Sequence, residues 1–277
     1  MRVLITGSEG RVAKAFQAML KNEEVFAFSK DRLDCTNRSQ VIQTVERIKP
    51  DLILHCAAMT NVDACERDPV TSFMVNSLAV HHLLEAAGTR TLMLFSTDYV
   101  FGEPSMIPYQ ETDTPTPQSI YAYSKWLGEE MAKHRPSVYV IRTSWLFGGK
   151  GDFVDKILQK VKQTGEITVV DDQFGTPTYI KDLVKASLQL LKHPPGMYHF
   201  TNEGRCSRYE WAKTILSYTS NEILLRAMPT NPLSSVAKRP SHTILSQEKW
   251  KQVTGKDVRN WRKALEEYME ERLHDEF

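Results

Sequence analysis

Tyr121 and Lys125 stand four residues apart in the run Tyr121-Ala-Tyr-Ser-Lys125. In a helix that spacing puts both side chains on one face, while Tyr123 points elsewhere. A phenol with an ordinary pKa of about 10 is a poor proton donor or acceptor at neutral pH, but a nearby ammonium favours the phenolate and lowers that value. A tyrosine tuned in this way can do general acid–base work. Tyr209 and Lys213 repeat the spacing, yet they follow neither a strand nor a glycine turn and read as helix surface and core. What sets the first pair apart is the run Phe95-Ser-Thr-Asp-Tyr-Val-Phe101 upstream, at the end of an apolar stretch that predicts a central strand. In open parallel sheets ligands bind beyond the carboxyl ends of the strands, and there Thr97 offers a hydroxyl to a carbonyl oxygen. In isolation Ser-Thr-Asp also reads as a capped turn.

A second constellation sits at the amino terminus. Gly7-Ser-Glu-Gly10-Arg-Val-Ala13 follows the apolar run Val3–Thr6 and opens a helical stretch, the context in which backbone amides face a pyrophosphate. The spacing is G-x-x-G-x-x-A, and the last position needs only a small residue, which Ala13 supplies. A tight turn without a ligand is the plainer alternative. After the second strand comes Ser29-Lys30-Asp31-Arg32. A hydroxyl beside two cations suits the 2′-phosphate of NADPH, while Asp31 keeps NADH open, and a solvated turn explains the run equally well. Asp34-Cys35 stands where a carboxylate could accept a hydrogen bond from adenine.

These groups need a scaffold, and the chain spells one. Val3–Thr6, Val25–Phe28, Leu52–Ala57, Leu92–Phe95 and Val138–Ile141 are strand-sized apolar runs, separated by helical spacing over Val12–Leu20, Val41–Ile48, Phe73–Ala87 and Tyr121–Met131. Apolar strands alternating with helices predict a parallel sheet covered on both faces, a doubly wound α/β fold of Rossmann type. We expect a dinucleotide-binding domain over residues 1–148. Residues 149–277 read as a smaller helix-rich lobe that binds substrate and is interleaved with the first domain. There Ser207-x-x-Glu210 forms a capping box, and Trp261, Leu265, Tyr268, Met269 and Leu273 form an apolar stripe.

Composition excludes several classes. The 277 residues carry 35 Lys and Arg against 34 Asp and Glu, so no net positive field draws nucleic acid. Cys35, Cys56, Cys65 and Cys206 form no C-x-x-C pair and fit a reducing cytoplasm. No apolar run approaches the roughly 20 residues of a membrane span. The histidines show no metal-ligand spacing, so no metal is expected, and the lack of a G-x-S-x-G elbow argues against an acyl-transfer hydrolase.

With these residues in view the chain resembles the extended short-chain dehydrogenase/reductase family, and within it the dTDP-4-dehydrorhamnose reductases, over nearly its whole length. The carrying segments are Val3–Ala13, Ala57–Asp63, Ser96–Gly102, Tyr121–Lys125, Arg142–Gly148, Asp172–Thr178 and Arg239-Pro240. The resemblance implies that Gly10, Arg11, Val12, Ser29, Lys30, Asp34, Cys35, Cys56, Ala57 and Ala58 line the cofactor, NADPH or alternatively NADH, with Asn76 close by. Thr97, Asp98 and Trp145 would meet a dTDP-sugar. The implied reaction is reduction of the 4-keto group of dTDP-4-dehydro-β-L-rhamnose to dTDP-β-L-rhamnose, for cell-surface polysaccharide. Tyr121 would give the proton, Lys125 would lower its pKa and hold the nicotinamide ribose, and Thr97 would bind the ketone oxygen. Arg239 could grip the diphosphate through its planar fork and Trp145 offer a wall to the sugar, although a surface arginine and a core tryptophan are the plainer readings. A nucleotide-sugar epimerase or dehydratase is the nearest alternative, with Asp98 as the acid. A non-catalytic NADP-binding regulatory subunit is another, against which intact Tyr121 and Lys125 count. Ala13 and Asp152 depart from the usual glycine and asparagine of relatives. A magnesium-linked homodimer known in the family rests on acidic residues near the carboxyl terminus. Glu266, Glu267, Glu270 and Glu271 cannot be matched to them, which leaves metal and oligomer open.

Overall fold

A computed structural model describes residues 1–219, 223–231 and 236–275. Five strands, β1 (Arg2–Thr6), β2 (Glu24–Phe28), β3 (Leu52–His55), β4 (Thr91–Thr97) and β5 (Val138–Thr143), form a parallel sheet in the order β2-β1-β3-β4-β5, and a sixth, Gly196–His199, extends it beside β5. All residues of β3 and β5 are buried, as a sheet covered on both faces requires. The chain leaves β1 for β2 on one side and crosses back to β3 on the other, so a crevice opens where the winding reverses.

Between the strands run α1 (Arg11–Met19), α2 (Arg38–Ile48), α3 (Val62–Arg67), α4 (Pro69–Phe73), α5 (Ala79–Ala87) and α6 (Ile120–Ala132). Phe16 of α1 packs with Leu183 and Leu190 of the helix Ile180–Leu190 on one face of the sheet. Val41 and Val45 of α2 pack with Leu83 and Leu84 of α5 on the other. The spacing over Phe73–Ala87 predicts one continuous helix. Instead Met74–Leu78 is π-helical, a local widening common near functional sites, and the turn carries Asn76 inward to bond the loop after β3.

From Phe147 onward a separate core gathers Phe147, Tyr179, Trp211 and Trp261 among the helices Phe153–Thr164, Arg208–Leu216 and Trp261–Asp275 and the paired strands Glu166–Val170 and Leu224–Met228. The capping box forms, with Ser207 and Glu210 bonding each other's backbone amides. Trp261, Leu265, Tyr268 and Met269 are buried, while the side chain of Leu273 lies outside the described residues. The helix Ile180–Leu190 and the strand Gly196–His199 return from this part of the chain to the first sheet. That edge is locked by a buried pair in which Arg142 Nη2 donates to Glu129 Oε2 at 2.7 Å.

Candidate active site

The carboxyl end of β4 and the first turns of α6 meet in one cavity of about 540 Å³, whose wall includes Thr97, Asp98, Tyr99, Tyr121 and Lys125. Ser119 starts α6 by accepting from the Ala122 amide at 3.2 Å. Tyr121 and Lys125 then share the inward face, and Tyr123 is exposed. The Lys125 ammonium donates to the Phe95 carbonyl at 2.6 Å. Burial lowers the Lys125 pKa to about 8, against the opposing pull of Glu129 and Cys56. Burial also raises the Tyr121 pKa, and its hydrogen bond with Thr97 offsets this only in part. The lowering expected from Lys125 therefore does not prevail: the ammonium is held at the strand carbonyl, and desolvation of the phenolate dominates. A phenol that keeps its proton at neutral pH is suited to giving one away.

Asp98 is buried, accepts from Thr97 Oγ1 at 3.1 Å and accepts a second bond from Thr243. Burial outweighs both bonds and raises its pKa to about 6. The ring of Tyr99 stands edge-on to Tyr121 with centroids 5.9 Å apart. Trp145 lies in the same wall and stacks on Trp211 at 5.6 Å, so it is both wall and core. Its φ of +43° is a conformation that residues other than glycine rarely adopt. Gly175 permits that placement, since a Cβ there would lie 2.4 Å from the indole.

The glycine turn opens into a second cavity of about 270 Å³ lined by Gly7, Gly10, Ser29, Lys30, Asp34, Cys35, Cys56, Ala57 and Ala58. Cys56 and Ala58 belong to both walls, so the two cavities adjoin. Gly7 has φ +65°, and a Cβ on it would lie 2.7 Å from Ala57 Cα, which explains why this turn needs glycine. Gly10 precedes α1 without a side-chain cap, leaving the helix's first amides to a ligand. Asp34 is held by the Thr36 hydroxyl at 2.7 Å, which lowers its pKa. Arg32 folds back over the Phe28 ring at 4.9 Å, so Ser29 and Lys30 alone of that cluster reach the wall. Arg11 and Val12 stand in the larger cavity, and Arg11 donates to the Leu146 carbonyl at 3.2 Å.

Asn76 is in neither wall. It lies one layer behind, accepting from the Met59 amide at 2.9 Å and donating to the Met59 carbonyl and to Ser124 Oγ, each at 3.0 Å, and so fixes the loop that carries Cys56–Ala58. Ser96 and Thr143 border the larger cavity, and their hydroxyls are buried without a partner among the described residues. Glycine cradle, bare helix end and adjoining cavities fit a dinucleotide laid from the turn after β1 to Tyr121.

Three groups in or beside this site escape a sequence reading. His55 lies in the wall, hydrogen-bonded to Thr6 Oγ1 at 2.8 Å, and burial lowers its pKa to about 3. Asp63 pairs with Arg239 at 2.8 Å. Arg208 stacks over Trp145 with its Cζ 3.5 Å from the ring centroid. The capping box flags the helix that Arg208 begins, but no signal in the sequence says that this helix end faces the site. Among the described residues no group of three or more His, Cys, Asp or Glu side chains could hold a metal ion, and no helix is long and apolar enough to cross a membrane. Of the glutamates near the carboxyl terminus, Glu267 pairs with Arg259 and Glu271 with Lys181.

The family model for the RmlD substrate binding domain matches residues 1–273. Spore coat polysaccharide biosynthesis protein SpsK of Bacillus subtilis is 35% identical over 278 residues, covering 98% of each chain. A dTDP-4-dehydrorhamnose reductase of Mycolicibacterium smegmatis is 35% identical over 277 residues, covering 96% of this chain and 84% of the relative. Among solved structures, a dTDP-4-dehydrorhamnose reductase of Bacillus anthracis in complex with NADP superimposes with a TM-score of 0.92 at 34% identity, over 98% of this chain and 99% of that one. Fold, glycine turn and strand-end site agree with a match that runs almost end to end, and the chain belongs to the RmlD substrate-binding-domain family of the extended short-chain dehydrogenases/reductases.

Proposed function

We propose that the protein is an NADPH-dependent reductase of dTDP-4-dehydro-β-L-rhamnose, forming dTDP-β-L-rhamnose for a polysaccharide. The observation that carries this reading is the convergence of Thr97, Tyr121 and Lys125 on one cavity that adjoins the glycine-turn cavity. The names of the similar reductases and of the spore-coat polysaccharide protein support the substrate and its destination. Gly7, Gly10 and the first amides of α1 hold the pyrophosphate, and Ser29 and Lys30 the 2′-phosphate. The bound dinucleotide supplies the hydride. Thr97 turns its one hydroxyl proton from Asp98 to the ketone oxygen and so fixes that oxygen beside the phenol. Tyr121, kept protonated by burial, gives its proton to the alkoxide as that charge develops. Lys125, anchored on Phe95, presents its remaining N–H donors to the nicotinamide ribose.

The test mixes the pure protein with NADPH and a panel of 4-keto nucleotide sugars and follows loss of the nicotinamide absorbance. Oxidation with the dTDP-linked ketone is expected. Turnover of UDP-linked but not dTDP-linked ketones would overturn the substrate, and tight NADPH binding with no turnover of any ketone would favour a regulatory subunit.

A further inference from the structure

The sequence points to Arg239 as the residue that grips the substrate's diphosphate, but the structure distributes charge differently. Arg239 Nη2 donates to Asp63 Oδ2 at 2.8 Å, and Asp63 also accepts from the Ala237 amide at 3.1 Å. Arg239 thus enters the cavity as half of a neutral pair that straps the segment around 237–239 to α3. We propose that Arg208 supplies the anion-binding charge of the cavity and clamps the diphosphate of the nucleotide sugar. This rests on the nucleotide-sugar reading of the same site.

Several observations converge on Arg208. It is the first residue of its helix, directly after the cap Ser207, where the positive end of the helix dipole opposes a cation. It is half-buried, and no carboxylate lies within salt-bridge distance of it among the described residues. The acid that acts on it, Asp98, is engaged by Thr97 and Thr243. Its guanidinium lies 3.5 Å over the Trp145 ring centroid, 5.3 Å from that of Phe153 and 5.6 Å from that of Trp211. These faces repay part of its lost hydration through cation–π attraction and hold the planar fork in one orientation. Of the other cations of the wall, Lys125 is anchored on the Phe95 carbonyl beside Tyr121, Arg239 is paired with Asp63, and Arg11 and Lys156 are exposed. A half-buried, oriented guanidinium with no ion pair among the described residues, added to a helix's positive end, attracts an anion of more than one charge and binds two of its oxygens at once. Arg208 shares the cavity wall with Tyr99, whose ring abuts Tyr121, which puts this fork near the reacting end. A diphosphate attached to the reducing sugar meets that requirement, and a neutral sugar does not.

The test measures Kd by calorimetry for dTDP and for inorganic pyrophosphate on the NADP-saturated protein, in wild type, Arg208→Gln, Arg208→Lys and Arg239→Gln. Loss of a charge-assisted bidentate contact predicts that Arg208→Gln weakens dTDP by about 10- to 100-fold. Arg208→Lys should recover part of the loss, and Arg239→Gln should cost less than about fivefold, the smaller effect of an already paired charge. In turnover the Arg208→Gln loss should fall on KM with kcat within about threefold, because the contact is the same in ground and transition states. Binding of dTDP by Arg208→Gln within about threefold of wild type, or a larger loss in Arg239→Gln, would overturn the assignment. Tight NADPH binding by a wild type that takes neither dTDP nor pyrophosphate would refute the nucleotide-sugar reading itself, and this inference with it.

Discussion

Raising the pH should switch the site off through Lys125. Burial lowers its pKa to about 8, so about nine-tenths of the molecules carry the ammonium at pH 7 and about one-tenth at pH 9. If the charged form holds the nicotinamide ribose, kcat/KM for NADPH falls about tenfold over that interval, because this ratio reports the groups of the free enzyme. The neighbouring groups do not confuse the limb. Burial raises Tyr121 and Cys56, His55 sits at about 3, and Asp98, at about 6, affects only the acid side. Loss of fold does not explain the limb either. A base with a depressed folded pKa binds fewer protons folded than unfolded between that pKa and its ordinary value, so this group's contribution to stability rises from about pH 8 to about pH 10.5. Activity and stability should therefore part company. The assay is steady-state turnover at constant ionic strength from about pH 6.5 to 9.5, with fluorescence titration of NADPH at each pH. In Lys125→Arg the charge persists throughout the range, so the limb should vanish even where the rate is lower. A flat profile in wild type, or an unchanged limb in Lys125→Arg, would refute the reasoning.

Other outcomes follow from neighbouring residues. Tyr121→Phe should abolish turnover while NADPH still binds, because only the phenolic proton is removed, and Tyr209→Phe should be nearly silent; steady-state rates of the two variants decide it. NADPH should bind more tightly than NADH, and Lys30→Ala should narrow the gap, since Lys30 lines the cofactor cavity while Arg32 is turned onto Phe28; a Kd ratio favouring NADH would count against this. His55 should make the fold acid-sensitive: its folded pKa of about 3 lies below its ordinary value of 6.5, so the unfolded chain takes up a proton first and stability falls as pH drops below that value. By pH 4.5 the loss is about 3 kcal/mol, and urea unfolding at pH 7 and 4.5 should show it in wild type and show less in His55→Gln.

Local signals made much of this molecule legible. A glycine turn between an apolar run and a helical stretch, a hydroxyl at a strand end and a four-residue Tyr–Lys spacing each depend on contacts a few residues long, and they meet as the pattern implies. What stayed hidden depends on distance in sequence. Gly196–His199 is a strand only because it pairs with β5 more than 50 residues earlier, and four residues carry too little periodicity to announce it. The spacing of Tyr121 and Lys125 places both on one face but says nothing of where the ammonium points, and Phe95 decides that. Asp63 and Arg239 are 176 residues apart, so a strap between them has no local trace. Arg208 reads as an ordinary first-turn residue until the fold lays it on Trp145.

The position of β4 explains why so many of these groups work together. In a strand, alternate side chains share a face, and the last residues of β4 use both faces and the backbone. The Phe95 carbonyl anchors Lys125, the Ser96 hydroxyl is buried without a partner among the described residues, and Thr97 bonds Asp98. The pairing of Phe95 with Ile141 and of Thr97 with Thr143 fixes all of them to β5. A slip of one residue would exchange the faces and take the anchor from Lys125 and the hydroxyl from the site together. That register is held by strands buried on both sides and by the Arg142–Glu129 lock on β5 and α6. The cost of holding the pKa values of Lys125, Asp98 and His55 away from their ordinary positions therefore falls on a site whose frame is well packed, and there a local distortion cannot relieve it.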